Sequence, residues 1–459
     1  MGRNMKIRNF SLASVMLLVV ASQGFSQSGD ESRPTGAVSA ASGEYDLGED
    51  EVIGDLVFTP VDDSFVGDIE VPQVPSPLPD HSVVTNPAAT PAPTTAARVA
   101  PMTFDATPCD AAQFCPPSIA ASQQMWLNAE ALLWFPQNRK TPPLLTTGPN
   151  DALQFGDPID SGLAPGIRLE AGRYLKGGML GIGGRFWTLF GESEDYSISS
   201  DDPATIIRRP FFNMTALGGP QPDALIVSGP SPGGPTIGDF NARSDFDALA
   251  TEVFGRILFG QGSCYRIDLL GGYTYYAIDD SLTLASTTFG IPNQTSFFDS
   301  FDAENRFHGG QLGIESVITK GKWSLQSLSK VHLGNMNQRV SIRGSSRQGI
   351  FPDPPGPGIN FGNGFYAQGQ QGDYEVDDFA FVPEMGLKLG YSPRCNVQMT
   401  LGYSFLFWSS VALAGEQINP YLDGTALLTD DVAPQAEIYR IVNDGFWMQG
   451  IDLGLTIRY

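Results

Sequence analysis

The last ten residues, Gly450-Ile-Asp-Leu-Gly-Leu-Thr-Ile-Arg-Tyr459, decide the fold of this chain. From Ile451 onward every second residue is apolar or aromatic, and Asp, Gly, Thr or Arg stands between them. Successive side chains of a β-strand point to opposite faces, so this stretch presents one apolar face and one polar face. Such alternation occurs in half-buried strands of soluble sandwiches, but a chain that ends on it after a secretion signal favours an outer-membrane strand.

The same alternation recurs upstream in four pairs of segments, and each pair flanks a short turn. The pairs are 166–175 with 179–190, 247–259 with 265–278, 303–318 with 323–334, and 379–391 with 397–411. Segments 125–134 and 447–459 bring the predicted number of strands to ten. Long segments rich in Gly, Pro and Asp lie between the pairs, namely 135–165, 191–246, 279–302, 335–378 and 412–446.

Short turns at one end and long loops at the other are typical of bacterial outer-membrane barrels, whereas a sandwich has no reason to sort its loops by length. The sequence therefore predicts an all-β fold, an antiparallel transmembrane β-barrel of about ten strands with long extracellular loops. The number would be twelve if a long loop contained another hairpin.

The segment before the barrel changes character twice. Residues 1–26 combine Arg3, Lys6 and Arg8 with a short apolar run and then small residues, which predicts a secretory signal peptide. Residues 27–108 are acidic and rich in Pro, Ala and Thr, so they bury too little apolar surface to fold, and we expect a disordered periplasmic segment. A Cys-containing pre-barrel segment, 109–124, then leads into the outer-membrane barrel at 125–459.

The charge balance narrows the choice of partners. The chain of 459 residues has 50 acidic and 27 basic side chains, which gives a net charge of −23. Nucleic-acid binding requires clustered Lys and Arg, so no nucleic-acid partner is expected.

The expected location is the bacterial outer membrane, with the N-terminal segment in the periplasm. The expected partners are outer-membrane lipid around the wall and the insertion machinery at the C-terminal strand.

The predicted hairpins can be aligned residue by residue. A two-residue turn at Gly177-Gly178 sets Glu170 opposite Arg185. The turn that contains Cys264 sets Arg256 opposite Asp268. Both alignments keep polar residues opposite polar residues, as the strand pleat requires.

Collected over all strands, the inward positions carry equal numbers of basic and acidic side chains. They are Arg168, Arg185, Arg256, Arg266, Lys330, Lys388 and Arg458 against Glu130, Glu170, Glu252, Asp268, Glu315, Glu384 and Asp452. His332 is also predicted to face inward, whereas His308 faces outward. The predicted lumen is therefore lined by charges but is close to neutral.

The four cysteines are all expected at the periplasmic end, in an oxidising compartment. Cys109 and Cys115 precede the barrel, and Cys264 and Cys395 each occupy a predicted turn. Several strands separate the two turns, which exceeds the roughly 7 Å between Cα atoms that a disulfide allows. Either Cys109 pairs with Cys115, which we favour, or these two residues join the pre-barrel segment to the two turns.

No catalytic or metal-binding constellation can be assigned. A nucleophile needs an adjacent base within hydrogen-bond reach, and with three His residues no such pair is evident, so the protein is not expected to be an enzyme. No cofactor and no dedicated metal site are predicted.

Pairs of Asp occur where strands meet long loops, and they are either solvated acids that end strands or acidic loops that bind divalent cations. The pairs are Asp201-Asp202, Asp279-Asp280, Asp377-Asp378 and Asp430-Asp431.

Five further stretches are distinctive: WLNAEALLWF from Trp126, PPLLTT from Pro142, ENRFHGGQLG from Glu304, VPEMGLKLGY from Val382 and LGYSFLFWSSV from Leu401. Together they resemble the beta barrel porin-7 family of planctomycete bacteria. The resemblance covers about residues 115–459 in one order, and it implies an outer-membrane barrel. It supplies no catalytic or binding residues.

Strand number limits what the barrel can conduct. Eight-stranded barrels have interiors that side chains fill, and water-filled porins use 16 to 18 strands. The sequence therefore predicts a porin that forms at most a narrow pore for small solutes. The alternative is a non-conducting barrel that serves as a structural or adhesive scaffold for surface loops. The sequence leaves the oligomeric state open.

Overall fold

The computed structural model describes residues 125–290, 293–350, 358–394, 396–428 and 439–458. Seventeen β-strands account for most of these residues. They are β1 Met125–Pro136, β2 Pro143–Thr147, β3 Ala152–Gly156, β4 Ala164–Leu175, β5 Leu180–Leu189, β6 Glu192–Ser200, β7 Ile207–Asn213, β8 Gln221–Ser231, β9 Gly234–Gln261, β10 Tyr265–Phe289, β11 Asn293–Lys320, β12 Trp323–Ile350, β13 Ile359–Phe361, β14 Gly372–Arg394, β15 Val397–Val411, β16 Tyr421–Leu422 and β17 Asp444–Arg458. Within these ranges no helix has the length and hydropathy that a membrane crossing requires.

Ten of the strands close into a ring through antiparallel pairing. In ring order they are β1, β4, β5, β9, β10, β11, β12, β14, β15 and β17. The last strand closes the ring against the first, with Leu453 opposite Ala131. This confirms the predicted fold class of an all-β antiparallel barrel of ten strands. In the described part of the chain the additional strands β2, β3, β6 to β8, β13 and β16 lie outside this ring.

Several sequence predictions fall outside the described residues. They concern the signal peptide at 1–26, the acidic segment at 27–108, the pre-barrel segment at 109–124, and Cys109, Cys115 and Cys395. They remain predictions.

The register is as predicted at one hairpin and differs at another. Glu170 lies opposite Arg185 between β4 and β5, which confirms that alignment. The alignment of Arg256 with Asp268 is wrong, because Arg256 lies opposite Leu270. The strands pair closer to the turn than predicted, with Gln261 opposite Arg266, and a bulge between Ile267 and Asp268 then shifts the register by one residue. A bulge adds an unpaired residue to one strand, and sequence alternation does not reveal it.

An apolar band covers the outer face of the ring near the end where short turns join the strands, which we call the short-turn end. Leu401 lies between Leu389 and Leu453 on neighbouring strands, and each of the three is about half exposed. Trp323 and Tyr391 pack together at the short-turn margin with ring centroids 5.1 Å apart and tilted planes. An apolar band with aromatic margins is the surface that a barrel presents to lipid.

The strands continue well beyond this band, which corrects the predicted loops. Residues 234–246, 279–289, 293–302, 335–350 and 372–378 were expected in loops and instead belong to strands β9 to β12 and β14. Their outer faces are polar: Arg343 pairs with Asp373 at 2.6 Å, and Arg339 with Glu375 at 3.2 Å. Because apolar residues no longer occupy the outer face, the alternation that marks a lipid-facing strand is lost there.

These strand continuations, together with β2, β3, β6 to β8, β13 and β16, form what we call the extension. The extension has its own apolar core, in which Phe240, Phe301 and Phe365 are fully buried. Tyr366 is also fully buried and donates its hydroxyl to the Pro210 carbonyl at 2.7 Å. The expected long loops are therefore largely a folded β-structure built on the barrel.

Candidate functional site

The lumen is the place where the sequence predicted functional side chains, and the structure fills it with them. Fourteen of the fifteen predicted lining residues are less than 9% exposed, and Arg458 is half-buried at the short-turn end, where it donates to Gln398 at 2.9 Å. The buried fourteen are Glu130, Arg168, Glu170, Arg185, Glu252, Arg256, Arg266, Asp268, Glu315, Lys330, His332, Glu384, Lys388 and Asp452. A water-filled channel leaves its lining accessible to water, and these side chains are not accessible.

One cluster in the lumen is balanced in charge. Arg168 binds Asp452 at 2.7 Å and also the Glu130 carboxylate. Glu130 accepts a second cation, Lys388, and the Glu130 side chain is fully buried. Two positive and two negative charges therefore neutralise one another within this cluster.

A second cluster spans the lumen between strands that are not neighbours in the ring. Arg185 binds Glu170 at 2.9 Å on the adjacent strand and Glu384 at 2.9 Å across the barrel. Lys330 then joins Glu384 to Glu252, at 2.7 and 2.6 Å. These contacts tie β4, β5, β9, β12 and β14 together through the interior.

The second cluster extends toward the short-turn end through Arg256. The Arg256 guanidinium binds Glu170 at 2.7 Å and Glu315 at 2.9 Å. Below it, Arg266 binds Asp268 at 2.7 Å and the Gly178 carbonyl at 2.8 Å. The ionic layers therefore continue to the last turns of the barrel.

The two barrel histidines lie on opposite faces of the wall. His332 is fully buried and lies within hydrogen-bond distance of Thr274, at 2.9 Å, and of Glu384, at 3.3 Å. His308 lies on the outer face, where its Nδ1 is 2.6 Å from the Tyr273 hydroxyl. The two imidazoles therefore belong to separate environments.

Two tryptophans, which were not among the predicted lining residues, donate hydrogen bonds to buried carboxylates of the lumen. Trp134 donates its indole N–H to Asp452 at 2.9 Å, and Trp126 donates to Glu170 at 3.1 Å. Trp126, Glu130 and Trp134 share the even-numbered face of β1. The alternation that placed Glu130 inside could therefore have identified both tryptophans.

An apolar layer closes the barrel above the ions. The rings of Trp134 and Trp187 are 5.1 Å apart, and those of Tyr276 and Trp408 are 5.5 Å apart, all four less than 3% exposed. Phe246 and Phe446 continue the same buried cluster. Close-packed apolar side chains exclude water, so the described lumen holds an ionic layer under an apolar seal.

The extension contains two further buried ion pairs. Arg139 binds Asp280 at 2.8 Å directly above the apolar layer, and Arg209 binds Asp299 at 2.9 Å within the extension core. The guanidinium of Arg209 also lies 4.5 Å from the Phe365 ring centroid. Of these four residues the sequence singled out only Asp280, as half of the Asp279-Asp280 pair, and it gave no sign of an ion pair with Arg139.

The Asp pairs do not form joint cation sites in the strands that contain them. Asp279 faces outward and pairs with Arg306, whereas its neighbour Asp280 is buried against Arg139. Consecutive strand residues point to opposite faces, so the two carboxylates cannot share one ion. In the described part of the chain no three His, Cys, Asp or Glu side chains gather in a way that could hold a metal ion. Asp430 and Asp431 lie outside the described residues.

A carboxyl group beside the apolar seal is unusual. Burial raises the pKa of Glu416 to about 7, while the nearby Lys140 ammonium, 3.8 Å away, opposes the shift. One oxygen of this carboxyl is buried without a hydrogen-bond partner. Both observations favour the protonated form.

Cys264 is disulfide-bonded. Cys109, Cys115 and Cys395 lie outside the described residues, and the pairing predicted for them stays a prediction.

These features define a closed, side-chain-filled outer-membrane type of barrel that carries a folded extension. The Putative beta barrel porin-7 family matches residues 126–459, and the chain belongs to that family. No curated protein matches the chain by sequence.

Two solved structures have a partly similar course of the chain at low sequence identity. The outer membrane protease OmpT of Escherichia coli is 11% identical with a TM-score of 0.38, over 77% of this chain and all of that one. The toluene transporter TodX of P. putida is 8% identical with a TM-score of 0.21, over 73% of this chain and 90% of that one. No activity is carried over from either.

Proposed function

We propose that this protein is a non-conducting outer-membrane barrel that holds the extension at the cell surface as a structural or adhesive scaffold. The observation that carries this proposal is the buried ionic lumen: Glu252, Asp452 and His332 are each at most 1% exposed. A conducting pore needs continuous water, and charges that neutralise one another in contact leave little space for it.

The energetics support a permanent closure. Leaving a buried ion without its partner costs about 3–5 kcal/mol of folding free energy. Opening a water path through the lumen would separate several of these pairs, and each separation would add a cost of this size. Arg185 alone holds Glu170 and Glu384 on opposite sides of the interior. The narrow pore that the strand number allowed is therefore the second candidate, and only the family description favours it.

The orientation follows from the same proposal. The short turns would face the periplasm with the N-terminal segment, which reaches that compartment after removal of the signal peptide at 1–26. The extension would then face outward. No catalytic step is proposed, because within the described residues the buried acids and bases of the lumen pair with one another and lie out of reach of a substrate.

Planar-bilayer recording tests the closure. Purified full-length protein, folded in detergent and inserted into a bilayer, is expected to produce no single-channel steps at moderate voltage. Heat-dependent mobility on a denaturing gel would show that the sample is folded. Clean, reproducible steps from folded protein would refute the scaffold and establish the pore.

A paired variant provides a positive control for the recording. Replacing Arg185 and Glu384 with Ala removes a contact that crosses the lumen at 2.9 Å. We expect this double variant, combined with Trp187→Ala and Trp408→Ala in the apolar layer that closes the barrel above the contact, to leak where the wild type is silent. A control that replaces the exposed Arg339 and Glu375 with Ala should stay silent.

A further inference from the structure

A shallow cavity on the outer face of the extension lies where β10, β11 and β12 end beside β13, and we call it the rim groove. Its volume is about 390 Å³, within the usual range of small-molecule sites. Two in-register rows of outward residues form its surface. They are Thr287, Ser296, Arg347 and Asn360 in one row, and Ala285, Phe298 and Ser345 in the other.

The row between these two faces the opposite way and forms the floor of the rim groove. Phe297 is 4% exposed and packs inside the extension against Phe365, with ring centroids 5.7 Å apart. Its neighbours in the row, Ser286 and Ser346, are also buried. The floor is therefore fixed by the core, and a ligand would meet only the outward side chains.

The chemistry of the lining is distinctive. Three hydroxyl groups and one amide surround the Phe298 ring, which is 42% exposed. None of the lining residues is acidic, and Arg347 is the one basic residue among them. A surface with one basic and no acidic side chain favours an anionic ligand over a cationic one.

Arg347 differs from four other outward arginines on β9, β11 and β12. Arg243, Arg306, Arg339 and Arg343 each pair with a carboxylate at the surface. Within the described residues Arg347 has no carboxylate partner. It lies against Gly358, where an added Cβ would come within 2.6 Å of the Arg347 Nε. The guanidinium therefore packs against Gly358 at the edge of the rim groove, and it has no carboxylate among the described residues to compete with an anion.

We propose that the rim groove binds an acidic sugar. The Arg347 fork would bind the sugar carboxylate with two parallel hydrogen bonds. Hydroxyls of Thr287, Ser296 and Ser345 would pair with sugar hydroxyls, and the Phe298 ring would lie against the apolar face of the sugar. This inference rests on the proposed scaffold function, because it names the class of ligand that the extension would bind at the cell surface.

Saturation-transfer NMR with full-length protein in detergent tests the proposal, with glucuronate, glucose and acetate as probes. Glucuronate is expected to bind saturably, and acetate and glucose at least tenfold more weakly. The Arg347→Gln variant should bind glucuronate at least tenfold more weakly than the wild type. The Phe298→Ala variant should weaken glucuronate binding several-fold, although it leaves the charge of the rim groove unchanged. The matched control, Arg339→Gln on the same strand and face, should bind as the wild type does.

Several results would overturn the proposal. Absence of saturable glucuronate binding, or binding that Arg347→Gln leaves unchanged, would remove the site. Equal affinity for acetate would reduce it to a simple anion site, and equal affinity for glucose would remove the role of Arg347. Channel steps in the bilayer with glucuronate binding intact would refute the scaffold alone, whereas a silent bilayer without binding would refute only this inference.

Discussion

The charge-balanced cluster around Glu130 allows a quantitative test of the filled lumen. The Glu130→Gln substitution keeps the shape of the side chain but removes its charge. In the wild type, Arg168 and Lys388 are neutralised by Glu130 and Asp452. The variant leaves Lys388 buried without an ionic partner in the described part of the lumen. Its net local charge changes from zero to +1.

Breaking a buried pair in this way costs about 3–5 kcal/mol of folding free energy. Removing the stranded cation as well, in the double variant Glu130→Gln with Lys388→Met, restores neutrality, since Arg168 retains Asp452 at 2.7 Å. We therefore expect the double variant to recover at least about 2 kcal/mol relative to Glu130→Gln, because replacing both partners of a buried pair is often nearly neutral.

Urea unfolding in lipid vesicles, followed by tryptophan fluorescence, measures these differences. The control is Glu375→Gln, which breaks an exposed pair with Arg339 and should cost less than about 1 kcal/mol. A cost below about 1 kcal/mol for Glu130→Gln would refute the reasoning. Strict additivity of the two lumen substitutions would refute it equally, because it would show that Glu130 and Lys388 do not interact.

Three further predictions concern separate parts of the molecule. The folded-state pKa of Glu416, about 7, lies above the unfolded value of about 4.3, so the folded protein gains stability as pH falls through this window. The stability difference between wild type and Glu416→Gln should therefore shrink from pH 8 to pH 5, and a constant difference would contradict the assignment. The Leu401→Arg substitution in the apolar band should cost about 2–4 kcal/mol in lipid, whereas Ser197→Arg on the exposed face of β6 should change stability by less than about 0.5 kcal/mol. Non-reducing peptide mapping should recover Cys264 in a disulfide. Linkage to Cys395 would keep the favoured Cys109 to Cys115 bridge but refute the distance argument, whereas linkage to a Cys109 or Cys115 peptide would overturn that bridge.

The inward and outward faces of the strands could be predicted because membrane and lumen impose opposite requirements on alternate residues. Glu130, Arg168 and Asp452 stand at polar positions between apolar ones, and all three are buried inside. The same pattern failed outside the apolar band, where the outer face of β9 to β12 is polar and apolar residues such as Phe240 and Phe301 face the extension core. The ordered extension was consequently expected to be loops.

Partner choice inside the lumen could not be predicted. Arg185 was aligned with Glu170 on the next strand, but its contact with Glu384 joins residues 199 positions apart across the interior. Arg209 and Asp299 are brought together by the folding of the extension, and neither carries a local signal. Such contacts depend on the diameter of the closed ring and on its shear.

The sequence by itself determined the barrel, its strand number and the side of the wall on which each charge lies, because a two-residue period is a local property of the chain. The tertiary structure alone decided that the charges meet, that tryptophans seal them and that the expected loops form a folded extension with a rim groove. Those outcomes depend on which strands close the ring and how far they continue beyond the membrane, and both are properties of the assembled sheet.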